Sequence, residues 1–239
     1  SLEPKSGYWQ DGSSRSNWTD VELPGDAFAQ GYIPYTLSEN DQTYQHESAF
    51  EKNVVIPTEY EGNRIVLRIN GAVNYSRLWI NGKLVSTHRS GKTSWDTDIT
   101  DFVTPGSEAR ITIGLTAENP QVDFSRVRGI TGDVTLFALP QNHLSRLHVV
   151  TDLDSEYKDA NLIIQSGILF NQSSSNSEIR FTLTDPDGNN VSLNNNRLSL
   201  AAPEDNKIAE QTLANHIDSP IKWDAEHPNL YTLVAELYD

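Results

Sequence analysis

Short segments in which apolar and polar residues alternate run through most of the 239-residue chain. Alternation with period two places every second side chain on the same face of a strand, so it predicts half-buried β-strands. The sequence has no long stretch with helical periodicity. The segments with the strand pattern are 64–69, 78–80, 109–115, 134–137, 146–150, 162–170, 179–183 and 231–237.

Turn signals between these segments predict how the strands connect. Asn81-Gly82 separates two apolar-rich runs, and Asn-Gly is favoured in type I′ hairpin turns, where both central residues need positive φ. The stretch 185–190 predicts a second hairpin turn, with Gly188 available for positive φ. Many short strands separated by Gly, Pro and Asn indicate β-sandwiches, so the predicted fold class is all-β.

A domain boundary is predicted at 138–142, where a strand ends at Pro140 and a polar stretch precedes the next strand. The chain is long enough for one large β domain or two of common size, and the turn signals favour two. The predicted domains are one sandwich over residues 1–140 and a smaller one over residues 141–239. The second has a size that is usual for immunoglobulin-like domains.

Composition excludes several classes of function. With 33 acidic and 18 basic residues the net charge is -15, which argues against a nucleic-acid partner because such partners require a positive surface. The absence of cysteine excludes disulfides and thiol catalysis. It suits a bacterial periplasmic or cytoplasmic protein equally well. Because no apolar run reaches about 18 residues, we expect no membrane span.

The chain begins at Ser1 and contains no methionine. We therefore expect a processed or truncated product, from which any targeting segment would already be missing.

Several motifs along the chain resemble glycoside hydrolase family 2, the family of β-galactosidases, β-glucuronidases and β-mannosidases. The stretch 64–100, with its Asn-Gly hairpin, resembles the family's sugar-binding domain. The flanking stretches 18–25 (WTDVELPG), 50–57 (FEKNVVIP) and 125–134 (SRVRGITGDV) are similar to its opening, an aromatic-led strand and its closing signature. Further on, 143–162 and 223–233 resemble the two ends of the family's immunoglobulin-like second domain. The resemblance implies a galactose-binding-like jelly-roll β-sandwich followed by an immunoglobulin-like β-sandwich.

The resemblance also implies what this chain does not contain. The family's two catalytic glutamates lie on a barrel that follows these domains, and a retaining glycosidase needs its two carboxyl groups roughly 5 Å apart. No pair in this sequence matches those motifs, so we expect no catalytic residue, no cofactor and no metal here. The expected function is a non-catalytic N-terminal piece of an exo-glycosidase that hydrolyses terminal β-glycosidic bonds, with β-galactosides favoured.

The partners expected from the resemblance are the carbohydrate substrate of the intact enzyme and the chain's own downstream catalytic barrel. The oligomeric state stays open. The alternative is an autonomous carbohydrate-binding module that presents aromatic side chains to a polysaccharide. The 223–233 match favours the first hypothesis, because a free-standing module has no need of the family's exit strand.

Three residues are candidates for the rim of the active site. The resemblance implies that Asp123, just before the closing signature, reaches the barrel mouth and contacts the sugar or a sodium ion. Its alternative role is an exposed loop acid or a partner of Arg126. Arg126, with Arg128, could pair with carboxylates of the barrel or form a solvated loop pair. Asn40 lies where some relatives place a sugar-contacting loop, although a turn-forming role is favoured.

Other notable side chains have simpler explanations. His46 and His88 lack the spaced partners of a zinc site. Trp79 lies in an apolar strand, so core packing is favoured over stacking on a sugar. The position of Trp95 relative to the sheet stays open. Within 125–134, Thr131-Gly132 replaces the aromatic and basic residues that the family usually has, which puts the contact with the barrel in doubt.

Overall fold

The computed structural model describes residues 6–26, 30–31, 47–73, 75–89, 93–116, 129–170, 177–200 and 207–238. Apart from two 3₁₀ turns, Thr58–Tyr60 and Thr100–Phe102, the regular structure is β, which confirms the all-β prediction. The chain divides into two compact units, Ser1–Leu139 and Pro140–Asp239.

The first unit contains two antiparallel sheets that enclose one core. The strands are β1 (Ser48–Val55), β2 (Arg64–Ile69), β3 (Tyr75–Ile80), β4 (Lys83–Arg89), β5 (Trp95–Asp98), β6 (Glu108–Thr116) and β7 (Val134–Leu139). The sheets have the strand orders β1-β6-β3-β4 and β5-β2-β7. Buried Ile and Leu side chains of β2, β3 and β6 alternate toward the space between the sheets, as expected for a sandwich.

The outer face of the β1-β6-β3 ladder is also covered, by the segment around Tyr8 and Trp18. Trp79 faces this side, is only 4% exposed, and stacks on Trp9 with ring centroids 5.1 Å apart. The prediction that Trp79 is a packing residue is confirmed, but it packs in a second cluster with Tyr8 and Ala49 and not between the sheets.

The second unit also has two antiparallel sheets. One has the order β13-β9-β8, and in the other the central strand β10 pairs with β14 on one side and with β12 and β11 on the other. The Asn215 side chain on β13 accepts a hydrogen bond from the Asn195 N–H (2.7 Å) and donates one to the Asn195 carbonyl (2.9 Å). The strands are β8 (His143–Leu153), β9 (Ala160–Phe170), β10 (Ser177–Thr184), β11 (Asn190–Val191), β12 (Arg197–Leu200), β13 (Lys207–Ile217) and β14 (Thr232–Tyr238).

All eight segments with the alternating pattern lie in observed strands, with ends that differ by a few residues. The Asn-Gly turn is confirmed, because Asn81 has φ 49° and Gly82 φ 79°. Gly188 has φ 83° in the turn between β10 and β11. The alternating segments did not include β1, β4, β5, β11, β12 and β13. The longest of these strands, β13, has the sequence KIAEQTLANHI, which lacks clean alternation.

Arginines pair with several carboxylates among the described residues of the first unit. These pairs include Glu47 with Arg77, Glu51 with Arg15, Asp96 with Arg68, Asp98 with Arg64 and Asp11 with Arg110. Burial alone would raise the pKa of Glu51. Hydrogen bonds from Arg15 (2.8 and 2.7 Å) and from the Thr112 hydroxyl (2.9 Å) outweigh it and hold that pKa below its ordinary value.

We predict that Glu51→Gln lowers the free energy of unfolding by about 1–3 kcal/mol at pH 7, because Arg15 then lacks its charged partner. The pKa is lowered by folding, so this stabilisation is present above the ordinary value of 4.5 and is lost as the pH falls through the lowered value. Urea unfolding at pH 7 and pH 3, followed by tryptophan fluorescence, measures both effects. The exposed Glu59→Gln is the matched control, and an equal change in both variants would contradict the prediction.

Candidate functional site

Several strands of the first unit start or end together at one end of its sandwich. β1 begins, β6 ends, β3 begins and β4 ends there, side by side in the ladder, as shown by the pairs Ser48↔Leu115, Tyr75↔Thr116 and Tyr75↔Arg89. In the facing sheet Ile69 pairs with Trp95 and Val134 at the same end. We call this the loop end.

The predicted rim residues Asn40, Asp123 and Arg126 lie outside the described residues, and so does Arg128. Their segments, 32–46 and 117–128, lead into β1 and continue from β6, and these two strands pair directly. The described strands therefore attach both segments to the loop end. The contacts of these four side chains stay predictions.

The closing signature is held at the loop end by backbone hydrogen bonds to the connection between β2 and β3. The N–H of Asn70 donates to the Asp133 carbonyl (2.9 Å), and the N–H of Thr131 donates to the Gly71 carbonyl (2.9 Å). The N–H of Gly25, from the Leu-Pro-Gly motif, donates to the Ile130 carbonyl (2.8 Å). Three motifs that are far apart in sequence thus form one small backbone network.

This network gives a physical reason for the unusual Gly132. A Cβ atom on Gly132 would lie 2.6 Å from the carbonyl carbon of Asn70 and 2.8 Å from the backbone nitrogen of Gly71. Such distances are too short for any larger residue unless the backbone moves. Glycine at position 132 therefore lets the two segments approach each other closely.

Aromatic and cationic side chains flank the loop end. The Arg89 guanidinium lies 5.2 Å from the centre of the Tyr75 ring, and the His88 ring stacks on Trp95 with centroids 4.0 Å apart. Trp95, whose position the sequence left open, packs half-buried against the core between the sheets.

Arg77 and Glu47 form an ion pair near the loop end, which the sequence did not predict. The Arg77 Nε–H donates to a Glu47 carboxylate oxygen (2.9 Å), and the guanidinium lies 5.0 Å from the Trp79 ring centre. Burial raises the pKa of the nearby Tyr8 hydroxyl, and the negative charge of Glu47 raises it further. No local pattern could have found this pair, because its members are 30 residues apart in sequence.

In the part of the chain that the structure describes, one group of side chains has the spacing of metal ligands, and it lies in the second unit. Asp159, His216 and Asp218 each offer one ligand atom, and these atoms lie within 4.8 Å of one another. The Asp159 carboxylate accepts a hydrogen bond from the Ser219 N–H (2.9 Å). This bond explains the position of the carboxylate without a metal ion. His216 contacts Asp218 at 3.3 Å, and both side chains are largely exposed.

None of the helical segments in the described ranges is long and apolar enough to cross a membrane.

Comparison with known proteins defines the class of this chain. The family model for the glycosyl hydrolases family 2 sugar binding domain matches residues 13–140, and the model for glycosyl hydrolases family 2 matches residues 142–239. The chain therefore belongs to glycosyl hydrolase family 2.

The curated relatives extend well beyond the matched region. A β-galactosidase from Priestia megaterium is 26% identical over 94% of this chain, and the match spans 23% of that protein. A β-galactosidase from Clostridium acetobutylicum is 26% identical over 91% of the chain and 25% of its own length. The chain thus spans about a quarter of the length of these relatives.

Solved structures share the fold. The crystal structure of a Bacteroides uniformis β-glucuronidase superposes with a TM-score of 0.82 and 21% sequence identity, covering 98% of this chain and 28% of that one.

We predict that Gly132→Ala destabilises the first unit by about 1–3 kcal/mol, because the new methyl group meets backbone atoms that cannot rotate away. Amide hydrogen exchange of Asn70 and Thr131 should speed up together with the loss of thermal stability. Gly167→Ala is the matched control, since the three atoms nearest to its Cβ would all be side-chain atoms: Ile208 Cγ2 at 3.1 Å, Arg146 Cβ at 3.4 Å and Ser145 Oγ at 3.5 Å. Unchanged exchange in Gly132→Ala would contradict the close approach.

Proposed function

We propose that this chain is the non-catalytic N-terminal part of a family 2 exo-glycosidase that hydrolyses terminal β-glycosidic bonds. The observation that carries the proposal is the pair of consecutive family matches, 13–140 and 142–239, on a chain that spans about a quarter of its relatives. The first domain shapes the rim of the active site through its loop end. The second domain braces the first against the catalytic barrel.

The favoured substrate class is β-galactosides, since several relatives are named β-galactosidases. Solved relatives named β-glucuronidases make β-glucuronides the competing class. The two sugars differ in the configuration at C4 and in the carboxylate that a glucuronide carries at C6, and this carboxylate would call for a cationic partner. Arg126 and Arg128 are the cations closest in sequence to the candidate Asp123.

The arginine-bound carboxylates support a non-catalytic role for the described part. A general acid and a nucleophile must face the scissile bond about 5 Å apart. Glu47, Glu51, Asp96 and Asp98 are instead each engaged by a guanidinium. Each of these carboxylates is the counter-ion of an arginine in the sheets.

The alternative, an autonomous carbohydrate-binding module, needs aromatic rings that are open to a polysaccharide. Trp79 is buried and Trp9 stacks on it, so this pair is a packing cluster. Among the described tryptophans, Trp223 is 61% exposed, so its ring suits stacking on a sugar.

We predict that the purified chain releases no nitrophenol from 4-nitrophenyl β-galactoside or 4-nitrophenyl β-glucuronide, because the carboxylate pair lies on the absent barrel. The longer parent protein, assayed in parallel, should cleave one of the two, and the cleaved one decides the substrate class. Turnover by the 239-residue chain would refute the proposal. Micromolar binding of lactose by this chain in calorimetry would favour the autonomous module.

For the rim we predict that Asp123→Ala in the parent enzyme lowers kcat/KM by about ten- to a hundredfold, or roughly 1.4–2.8 kcal/mol of lost transition-state binding. If Asp123 acts at the rim, thermal stability should hardly change, because a solvent-exposed carboxylate contributes little to it. Asp101→Ala is the matched control, since Asp101 is exposed and follows the strand end opposite the loop end. If Asp123→Ala lowers the melting temperature and leaves the kinetics within twofold, Asp123 is a structural partner and not a rim residue.

A further inference from the structure

The tripeptide Ile-Asn-Gly occurs twice in the chain, as Ile69-Asn70-Gly71 and as Ile80-Asn81-Gly82. An asparagine that precedes glycine readily loses its side-chain amide, because glycine has no Cβ that keeps its backbone nitrogen away from the asparagine side chain. In an unfolded chain the two copies should react at similar rates, since the reacting residues are the same. The fold places the two copies in different surroundings.

The side-chain amide of Asn81 is held at both of its polar atoms. Its Oδ1 accepts a hydrogen bond from the Arg110 N–H (2.9 Å), and its Nδ2–H donates to the Phe102 carbonyl (3.3 Å). The Asn81 N–H also donates to the Arg110 carbonyl (2.9 Å). To reach the Gly82 nitrogen, the side chain has to rotate and give up both of its hydrogen bonds. The tertiary structure therefore protects this copy.

Asn70 lies at the loop end, directly after β2, and its side chain is not held in this way. The residue is exposed, and its side-chain amide makes no hydrogen bond within the part of the chain that the structure describes. The Gly71 N–H likewise has no acceptor among the described residues. No hydrogen bond therefore has to break before the side-chain amide of Asn70 and the nitrogen of Gly71 meet.

We propose that Asn70 is a site of spontaneous modification in the folded protein, whereas Asn81 is protected. The Gly71 nitrogen, after losing its proton to solvent base, attacks the side-chain amide carbon of Asn70, which the chain itself holds nearby. A C–N bond forms, the bond to the amide nitrogen breaks, and ammonia leaves. Water then opens the cyclic imide at either carbonyl carbon, which gives aspartate or isoaspartate. An amide and water thus become an acid and ammonia, and no oxidant or enzyme takes part.

The isoaspartate product changes the backbone at the point where the closing signature is held. In this product the chain runs through the former side chain, so one carbon atom is added between the nitrogen of residue 70 and the carbonyl of Gly71. These two groups bond to the Asp133 carbonyl (2.9 Å) and to the Thr131 N–H (2.9 Å). The longer link does not fit both hydrogen bonds in the same register. Formation of isoaspartate should therefore loosen residues 130–133.

The test incubates the 239-residue chain at about pH 8 and follows both copies by peptide mapping with mass spectrometry. Asn70 should convert at least about tenfold faster than Asn81, since this factor corresponds to about 1.4 kcal/mol and two hydrogen bonds hold Asn81. Electron-transfer fragmentation should find both isoaspartate and aspartate at position 70. In urea that unfolds the chain, the two copies should convert within about twofold of each other, because residual structure then has little effect.

Variants separate the chemistry from its structural consequence. Asn70→Ser removes the reactive amide, so the acidic form that ion-exchange chromatography resolves from the aged protein should not appear. Asn161→Ser is the matched control, because Asn161 is exposed and does not precede glycine, and this variant should still give the acidic form. Asn70→Asp adds the same charge without the extra backbone carbon. Amide hydrogen exchange of Thr131 should therefore be faster in the isoaspartate form and unchanged in Asn70→Asp.

Several outcomes would overturn the inference, which uses only the first unit and does not depend on the glycosidase proposal. Conversion of Asn81 in the folded chain at a rate equal to or above that of Asn70 would refute the protection. A folded chain that keeps Asn70 intact while the urea-treated chain converts would refute the site. An acidic form that persists in Asn70→Ser would assign the modification to another residue. Unchanged exchange of Thr131 in the isoaspartate form would contradict the loosening.

Discussion

The first unit depends on β6, which is paired on both edges and buried on both faces. Its neighbour β1 pairs with residues 108–115, and its neighbour β3 pairs with residues 111–116. Ile111, Ile113 and Leu115 point into the core between the sheets. On the other face Thr112 is fully buried, and Gly114 leaves the space that the Tyr8 ring occupies, because a Cβ there would lie 2.0 Å from the Tyr8 hydroxyl oxygen.

This two-sided burial explains why the outer face of the sheet carries so many paired charges. The row Glu51, Thr112 and Trp79 runs across β1, β6 and β3, under the segment that contains Trp9 and Arg15. A carboxylate that is covered by another segment must find a partner, since an unpaired buried charge is costly. Arg15 supplies that partner from the covering segment itself. The charge pair and the tryptophan stack therefore fix the same segment in the same place.

The ladder around β6 also positions the loop end. β1 and β3 pair with β6, and β4 pairs with β3. The start of β1, the end of β6, the start of β3 and the end of β4 therefore lie together at one end of the sandwich. In the described part of the second unit β8 is less well covered, because Leu147 and Val149 are 39% exposed and Leu153 is 41% exposed.

The sequence by itself determined the elements whose cause is local. Period-two alternation was sufficient for strands such as β2, and the demand for positive φ at Asn81 and Gly82 was sufficient for the hairpin. The family motifs identified the two domain types. Tertiary structure alone decided which face of its strand Trp79 occupies, and this residue packs outside the sandwich core. It also brought together Glu47 and Arg77, which are 30 residues apart in sequence. Tertiary structure also explains the glycine at position 132. A Cβ atom there would clash with Asn70 and Gly71, which come close to it only after the strands have paired. Local pattern specifies conformation, but contacts between distant residues follow from the register of the sheets, which no single segment of the sequence contains.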